Sequence, residues 1–296
     1  MSASISLHLT AEDAENAKGL PENAPRPPRL ATIDPIDNRP IRVVLFGSGP
    51  VLTHDARQFI CRLEAEPEIE FAAAFCQAEG QSWTAVARDF WRRRGWLAVP
   101  LLAAWVLNEV GRTLRHPCRE RALARELTRL SERIHFITNI HAPEVIAQIS
   151  ALDPDLGLIY GSPILKPAVF ETPTRGTLGI HHGKVPQYRG NKTAFWAMYN
   201  GEAAAGVTIQ KVNAGLDTGQ IVKAGEVVIG KRSQRAVWQE LEQLGLDLYM
   251  QAILEVKAGT ATYKPQCGPK GKLYKNPKFG DLVEFWRRQW RRRLRG

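Results

Sequence analysis

The sequence predicts an α/β fold: a Rossmann-like, mostly parallel sheet with helices on both faces, plus a helical insertion. Three observations lead there. Short apolar, β-rich runs recur along the chain, helix-period segments separate them, and Gly-rich turns follow the strand ends. Ile41-Arg-Val-Val-Leu-Phe46 is the first such run, and it stops at Gly47-Ser48-Gly49-Pro50. Leu52, Ala56, Phe59, Ile60 and Leu63 then set a helical period, and Glu68 to Phe75 supplies a second strand. Ala142 to Ile149 reads as a helix, and Asp155 to Gly161 as a later strand. The last long helix is expected over about Gln234 to Lys257.

With 296 residues, 44% hydrophobic and 24% charged, the chain suits one globular domain with additions. Six of its 19 prolines fall in residues 1–40. This marks an extended or disordered leader that lacks the basic and apolar regions of a signal peptide. A domain over 41–257, with an insertion at 84–133, and a basic extension over 258–296 complete the expected organisation. Cys61, Cys76, Cys118 and Cys267 form no C-x-x-C pair, so neither a disulfide framework nor a thiolate metal site is indicated. A reducing, cytoplasmic setting fits best.

The formal charge of +10 is concentrated. Residues 88–133 carry 11 Arg against 5 acids, 265–280 carry 4 Lys and no acid, and 281–296 carry 6 Arg against 2 acids. The remaining body is slightly acidic, so the basic surface is an addition to it. Within the insertion, Trp96 to Leu107 has no charge. Its 12 residues fall short of the roughly 20 that span a bilayer. Two placements stand open: an interfacial helix on an anionic membrane surface, peripheral at the inner membrane, or burial against the sheet or in a homodimer contact. The terminal Phe285-to-Arg295 run, rich in Trp and Arg, suits acidic lipid, RNA or solvent equally.

The chemistry-bearing stretch is Leu178-Gly-Ile-His-His-Gly-Lys-Val-Pro-Gln-Tyr-Arg-Gly190, followed by Gly206-Val-Thr-Ile209 and Leu216-Asp-Thr-Gly219. It puts an imidazole, His181, and a carboxylate, Asp217, on separate loops beside predicted strands, where parallel sheets build active sites. The bland alternative makes His181 a satisfied loop histidine and Asp217 a turn former. The earlier turn, Gly47-Ser48-Gly49, lacks the third glycine of a dinucleotide fingerprint, and Pro50 removes an amide. It is either a tight turn or a contact to substrate through its remaining amides.

Taken together, these motifs resemble the 10-formyltetrahydrofolate-dependent formyltransferases, the family of glycinamide ribonucleotide, methionyl-tRNA and sugar-amine formyltransferases. The resemblance covers roughly 41–257 and adds Tyr160-Gly-Ser-Pro-Ile-Leu-Lys-Pro167 and the Phe195-Trp-Ala197 helix ending at Asn200-Gly201. It implies an enzyme using 10-formyltetrahydrofolate as cosubstrate, with His181 and Asp217 as the catalytic pair. By the same resemblance, Gly161, Ser162, Pro163, Ile164 and Leu165, with Asn213, Ala214 and Gly215, border the pterin. Gly47, Ser48, Gly49, His182, Arg189 and Asn191 are expected on the substrate side, although Arg189 also suits a role bridging loop carbonyls.

The reaction explains the residue types. Attack of an amine on a formyl carbon creates an oxyanion and a cationic nitrogen, so the site needs a donor and a route for a proton. A nearby Asp217 is expected to orient His181 and raise its pKa. One departure stands out. The family places Asn two residues before the histidine, as an oxyanion donor, whereas this chain has Gly179. Loss of such a donor costs about a hundredfold to a thousandfold in turnover. His182 and Asn191 are the nearest polar replacements in sequence.

Only 39 residues follow Lys257, fewer than the about 50 of an independent domain, so no dedicated tRNA-binding domain is expected. The acceptor is expected to be a small-molecule or lipid-linked amine, such as an amino sugar. Two rivals stand beside it: a 10-formyltetrahydrofolate deformylase, and a degenerate folate- or membrane-binding homologue that Gly179 would suit.

Overall fold

A computed structural model of the protein describes residues 34–36, 39–49, 51–78 and 117–294, with single positions between 91 and 111. Most of the 1–40 leader and of the insertion therefore lies outside the described residues.

Strand β1 (Ile41–Ser48) is apolar on both faces, as a central parallel strand must be, and is buried along nearly its whole length. Helix α1 (His54–Ala65) starts at Thr53, whose side chain accepts from the Ala56 N–H, and buries Ala56, Phe59, Ile60 and Leu63. β2 (Ile69–Gln77) follows, then α2 (Pro117–Arg129), a 3₁₀ turn (Ser131–Arg133) and the edge strand β3 (Ile134–Ile137). α3 (Pro143–Ala151), with Pro143 in its first turn, leads to β4 (Leu156–Ile159), α4 (Pro167–Phe170) and β5 (Thr177–His181). The chain continues through β6 (Arg189–Gly190), α5 (Thr193–Asn200), β7 (Ala204–Lys211), β8 (Ile221–Val228) and α6 (Gln234–Lys257). β9 (Leu273–Tyr274) and α7 (Phe279–Leu294) lie in the basic extension.

The seven-stranded sheet runs β3-β2-β1-β4-β5-β7-β8. Its first five strands pair in parallel, and β7 and β8 are antiparallel additions, so the expected mostly parallel sheet is present. Helices cover both faces. Phe59 and Leu63 of α1 meet Tyr249 and Ile253 of α6 on one side, while Val145 and Ile149 of α3 pack with Phe46 and Phe75 on the other. Strand order reverses between β1 and β4, which opens a crevice at the carboxyl ends of β1, β4 and β5. The fully buried Tyr249 hydroxyl accepts from the Ile159 N–H at 2.9 Å and donates to the Leu178 carbonyl at 2.7 Å. It thereby satisfies backbone groups where β4 and β5 approach that crevice.

The start of the body is fixed by charge. Asp155, only 5% exposed, accepts from both Arg39 terminal nitrogens and from the Arg42 N–H, each at 2.7 Å. Of the apolar 96–107 run, only Val99, Ala103, Val106 and Leu107 are described, and all four are exposed. No helix among the described residues is long and apolar enough to cross a membrane.

Candidate active site

His181 ends β5 and is 8% exposed. Its Nε2 lies 2.7 Å from the Tyr188 carbonyl oxygen, and since a carbonyl only accepts, Nε2 carries a hydrogen. Nδ1 faces Asp217 Oδ1 at 3.4 Å. Asp217 follows β7 in a left-handed turn (φ 51°), a conformation that a short polar side chain tolerates. Its Oδ2 accepts from the Gly190 N–H at 2.7 Å and its Oδ1 from Gln210 Nε2 at 3.3 Å. The two loops singled out in the sequence are thus brought together, 36 positions apart in the chain.

The electrostatics correct one expectation. Burial lowers the His181 pKa, and although Asp217 and the Tyr188 carbonyl push it up, the net shift is downward. The buried ring therefore holds a proton less firmly than a free imidazole does.

Two cavities meet at this pair. One, of about 420 Å³, is bordered by Gly161 to Leu165, by Asn213 to Gly215 and by Asp217. The Asn213 side chain shapes its rim by accepting from the Gly215 N–H and the Thr218 hydroxyl. The other, of about 450 Å³, is bordered by Gly47, Ser48, Thr53 and His182. His181, Gly190 and Asn191 border both. Two of the expected residues have partners within the fold itself. Gly49 donates its N–H to the Gln77 carbonyl, and the Arg189 guanidinium donates to the Leu216 carbonyl at 2.6 and 3.0 Å, which clamps the Asp217 loop.

The second cavity holds a network that the sequence reading missed. The Tyr160 hydroxyl donates to Glu242 Oε1, and His182 Nε2 lies 2.9 Å from Glu242 Oε2. Trp238 covers the His182 ring at 4.7 Å between centroids. Glu242 is buried, which acts to raise its pKa, yet the contacts from His182 and Tyr160 hold the carboxyl below its ordinary range. An acid within a long helix reads as a solvated position, and only the packing of α6 against β4 and β5 turns it inward.

Gly179 has a second amide beside it. In the antiparallel β5–β7 register Gly179 faces Gln210 and His181 faces Thr208, so Gln210 rises from the same sheet face as His181. Gln210 is 7% exposed and borders the first cavity. Its Oε1 accepts from Gln266 Nε2 at 3.3 Å, and Gln266 also donates to the Asp217 and Gly219 carbonyls. Of the replacements expected in sequence, His182 is paired with Glu242, while Asn191 is exposed at the cavity junction.

The basic extension also builds the site. β9 pairs with β6, Tyr274 stacks on Tyr188 at 5.1 Å, and Leu273, Tyr274 and Lys275 border the first cavity. Nothing in the composition of 258–296 signals this, because the contact is long-range and only two residues wide.

Comparisons with known proteins bear on the family and the fold. Residues 122–253 match the family model described as formyl transferase. The methionyl-tRNA formyltransferase of Geobacter metallireducens is 33% identical over 129 residues, which is 43% of this chain and 42% of the relative. That of Chloroflexus aggregans is 35% identical over 127 residues, covering 42% of this chain and 41% of the relative. The match thus spans less than half the length of these curated relatives. Among solved structures, a sugar N-formyltransferase from Shewanella sp. superposes with TM-score 0.53 at 15% identity, over 83% of this chain and 87% of that one. Glycinamide ribonucleotide transformylase 1 from Geobacillus kaustophilus gives 0.50 at 15% identity, over 74% and 97%. At such identities the superpositions establish the fold alone.

Proposed function

We propose that this chain, whose residues 122–253 match the formyl transferase family model, transfers a formyl group from 10-formyltetrahydrofolate to the amine of a small or lipid-linked substrate. The observation that carries this reading is the His181–Asp217 pair, seated where the two cavities meet.

The first cavity fits the donor. Its walls combine apolar side chains, Leu165 and Val212, with the backbone groups of 161–165 and 213–215, which suits a flat ring with polar edges. The second cavity takes the amine, and its buried Glu242 carboxyl suits the positive charge that develops on the nitrogen as it attacks.

The attacking nitrogen forms a bond to the formyl carbon, the bond to the donor nitrogen breaks, and one proton passes from the first nitrogen to the second. The His181–Asp217 pair holds that proton in transit, with Asp217 stabilising the imidazolium that forms. Gln210 supplies the side-chain amide beside the position that Gly179 leaves bare, at the oxyanion.

The test is consumption of 10-formyltetrahydrofolate by the purified protein with and without candidate amines. Amine-dependent loss with formylated product supports the reading. Amine-independent loss replaces it with hydrolysis, and tight folate binding without turnover replaces it with a binding protein.

A further inference from the structure

Helix α7 carries an apolar stripe that nothing in the described structure covers. Phe279, Val283, Trp286 and Trp290 recur at helical spacing on one face, and each is more than half exposed, between 52% and 69%. The helix is not free to roll that face inward. Phe285, 1% exposed, packs against Phe195 at 4.7 Å, and Arg288 lies over the Tyr199 ring at 4.3 Å while donating to the Tyr199 carbonyl. Around the stripe the charge is one-sided: residues 265–296 hold ten Lys and Arg against two acids, a net +8.

We propose that α7 docks on an anionic lipid surface through this stripe, and that the cavity beneath it delivers the amine of a lipid-linked acceptor to His181. Tryptophan and phenylalanine partition to the headgroup boundary, and clustered arginines draw the helix to negative headgroups. A second copy of the chain would bring +8 against +8. RNA would be met by arginines and stacked rings, and it leaves Val283 and Leu282 without a partner.

The second half of the proposal rests on the formyl transfer reading and on a path through the structure. A cavity of about 500 Å³ lies between α7 and α6, bordered by Trp286 and Gln289 on one side and by Lys192, Arg235 and Trp238 on the other. Lys192 and Trp238 also border the acceptor cavity. Two cations beside an aromatic wall suit a phosphate joined to an apolar chain. Gln289 Nε2 is buried there and makes no hydrogen bond within the described structure, so a donor is already in place for an oxygen of such a headgroup.

The docking is tested by flotation of the full chain with phosphatidylcholine vesicles, with and without phosphatidylglycerol. The expected result is binding to the anionic vesicles only, weakened by salt, and lowered about tenfold or more by Phe279→Ser with Trp290→Ser. Arg291→Glu, with the stripe intact, lowers it about fivefold. Failure of the native chain to float overturns the docking, as does flotation of the variants at the native level. RNA retention without flotation, or a concentration-dependent dimer abolished by Trp290→Ser, overturns it in favour of those partners.

Turnover tests the acceptor. An amino sugar phosphate carrying a long alkyl chain, presented on the anionic vesicles, is compared with the same compound lacking the chain. Native protein is expected to prefer the chain-bearing form at least tenfold in kcat/KM, and the Phe279/Trp290 variant to lose the preference while keeping the rate on the free form. Equal rates on both forms overturn the assignment. If neither form is used, the formyl transfer reading fails with it, while flotation still decides the docking.

Discussion

Gln210 faces Gly179 across the antiparallel β5–β7 pair, and its amide lies 3.3 Å from the Asp217 carboxyl that attends His181. The bare position and the amide therefore share one sheet face. If Gln210 supplies the oxyanion donor, Gln210→Leu lowers turnover by about a hundredfold while folate binding, read by fluorescence titration, changes little. A Cβ on Gly179 would sit 3.4 Å from Val212 and 3.7 Å from Ile159, which are ordinary contacts. Adding Gly179→Asn to Gln210→Leu is accordingly expected to restore part of the rate. Full turnover in Gln210→Leu alone would remove the residue from the mechanism.

How much of this was legible beforehand depends on the range of each interaction. β1, α1, β2, β4 and α6 declare themselves through apolar runs and helical periods, and the His181 and Asp217 segments through residues that regular structure avoids, although His181 ends β5 rather than lying in a loop. What stayed hidden is paired across distance. Gln210 reads as an ordinary strand residue until the β5–β7 register sets it opposite Gly179. Glu242 looks solvated until α6 packs, and Tyr274 belongs to a two-residue strand whose partner lies at Arg189–Gly190. Arg189 was legible as a loop clamp, because a guanidinium beside a glycine turn finds carbonyls more readily than solvent.

The direction of the His181 shift sets a pH dependence. Burial lowers its pKa, so between the folded value and the ordinary 6.5 the unfolded chain binds a proton that the folded one refuses. Its contribution to stability is full above the unfolded pKa and is lost as pH falls through the folded one. Thermal unfolding is expected to decline on acidification below 6.5, and less steeply in His181→Gln. Asp217→Asn removes the group that raises the imidazole pKa. The acidic limb of the rate profile then moves to lower pH, and turnover drops by about a hundredfold or more. A profile that stays in place would separate Asp217 from the titrating group.

Glu242 holds His182 and Tyr160 at once, in a cavity distinct from the one that Asp217 borders. Glu242→Gln keeps the shape and removes the charge. The expected outcome is a rise of about tenfold or more in KM for the amine, with folate affinity intact. Equal losses for both substrates would mean that the network only supports the fold. The pH response has a sign as well: the carboxyl is held below its ordinary range, so the pairing persists above the unfolded carboxyl pKa of 4.5 and is lost as pH falls through the lower folded value.

Gly190 joins the extension to the site, and its backbone makes the joint possible. It lies at φ 93°, donates its N–H to Asp217 Oδ2, and pairs with Tyr274 in the β6–β9 ladder. A Cβ there would fall 2.3 Å from the Tyr274 carbonyl oxygen, a backbone atom that moves only if β9 moves. Gly190→Ala is therefore expected to cost about 2–4 kcal/mol, from left-handed strain together with displaced packing, and to abolish turnover by freeing the Asp217 carboxyl. Gly230→Ala is the control, because Gly230 is also left-handed (φ 50°) yet nothing lies within 4 Å of its added Cβ. Its cost is the backbone strain alone, about 1–2 kcal/mol, with turnover retained. Thermal melts of the two variants side by side decide the matter: equal losses would mean that the β6–β9 pairing adds nothing to the strain, and that Asp217 is held by other contacts.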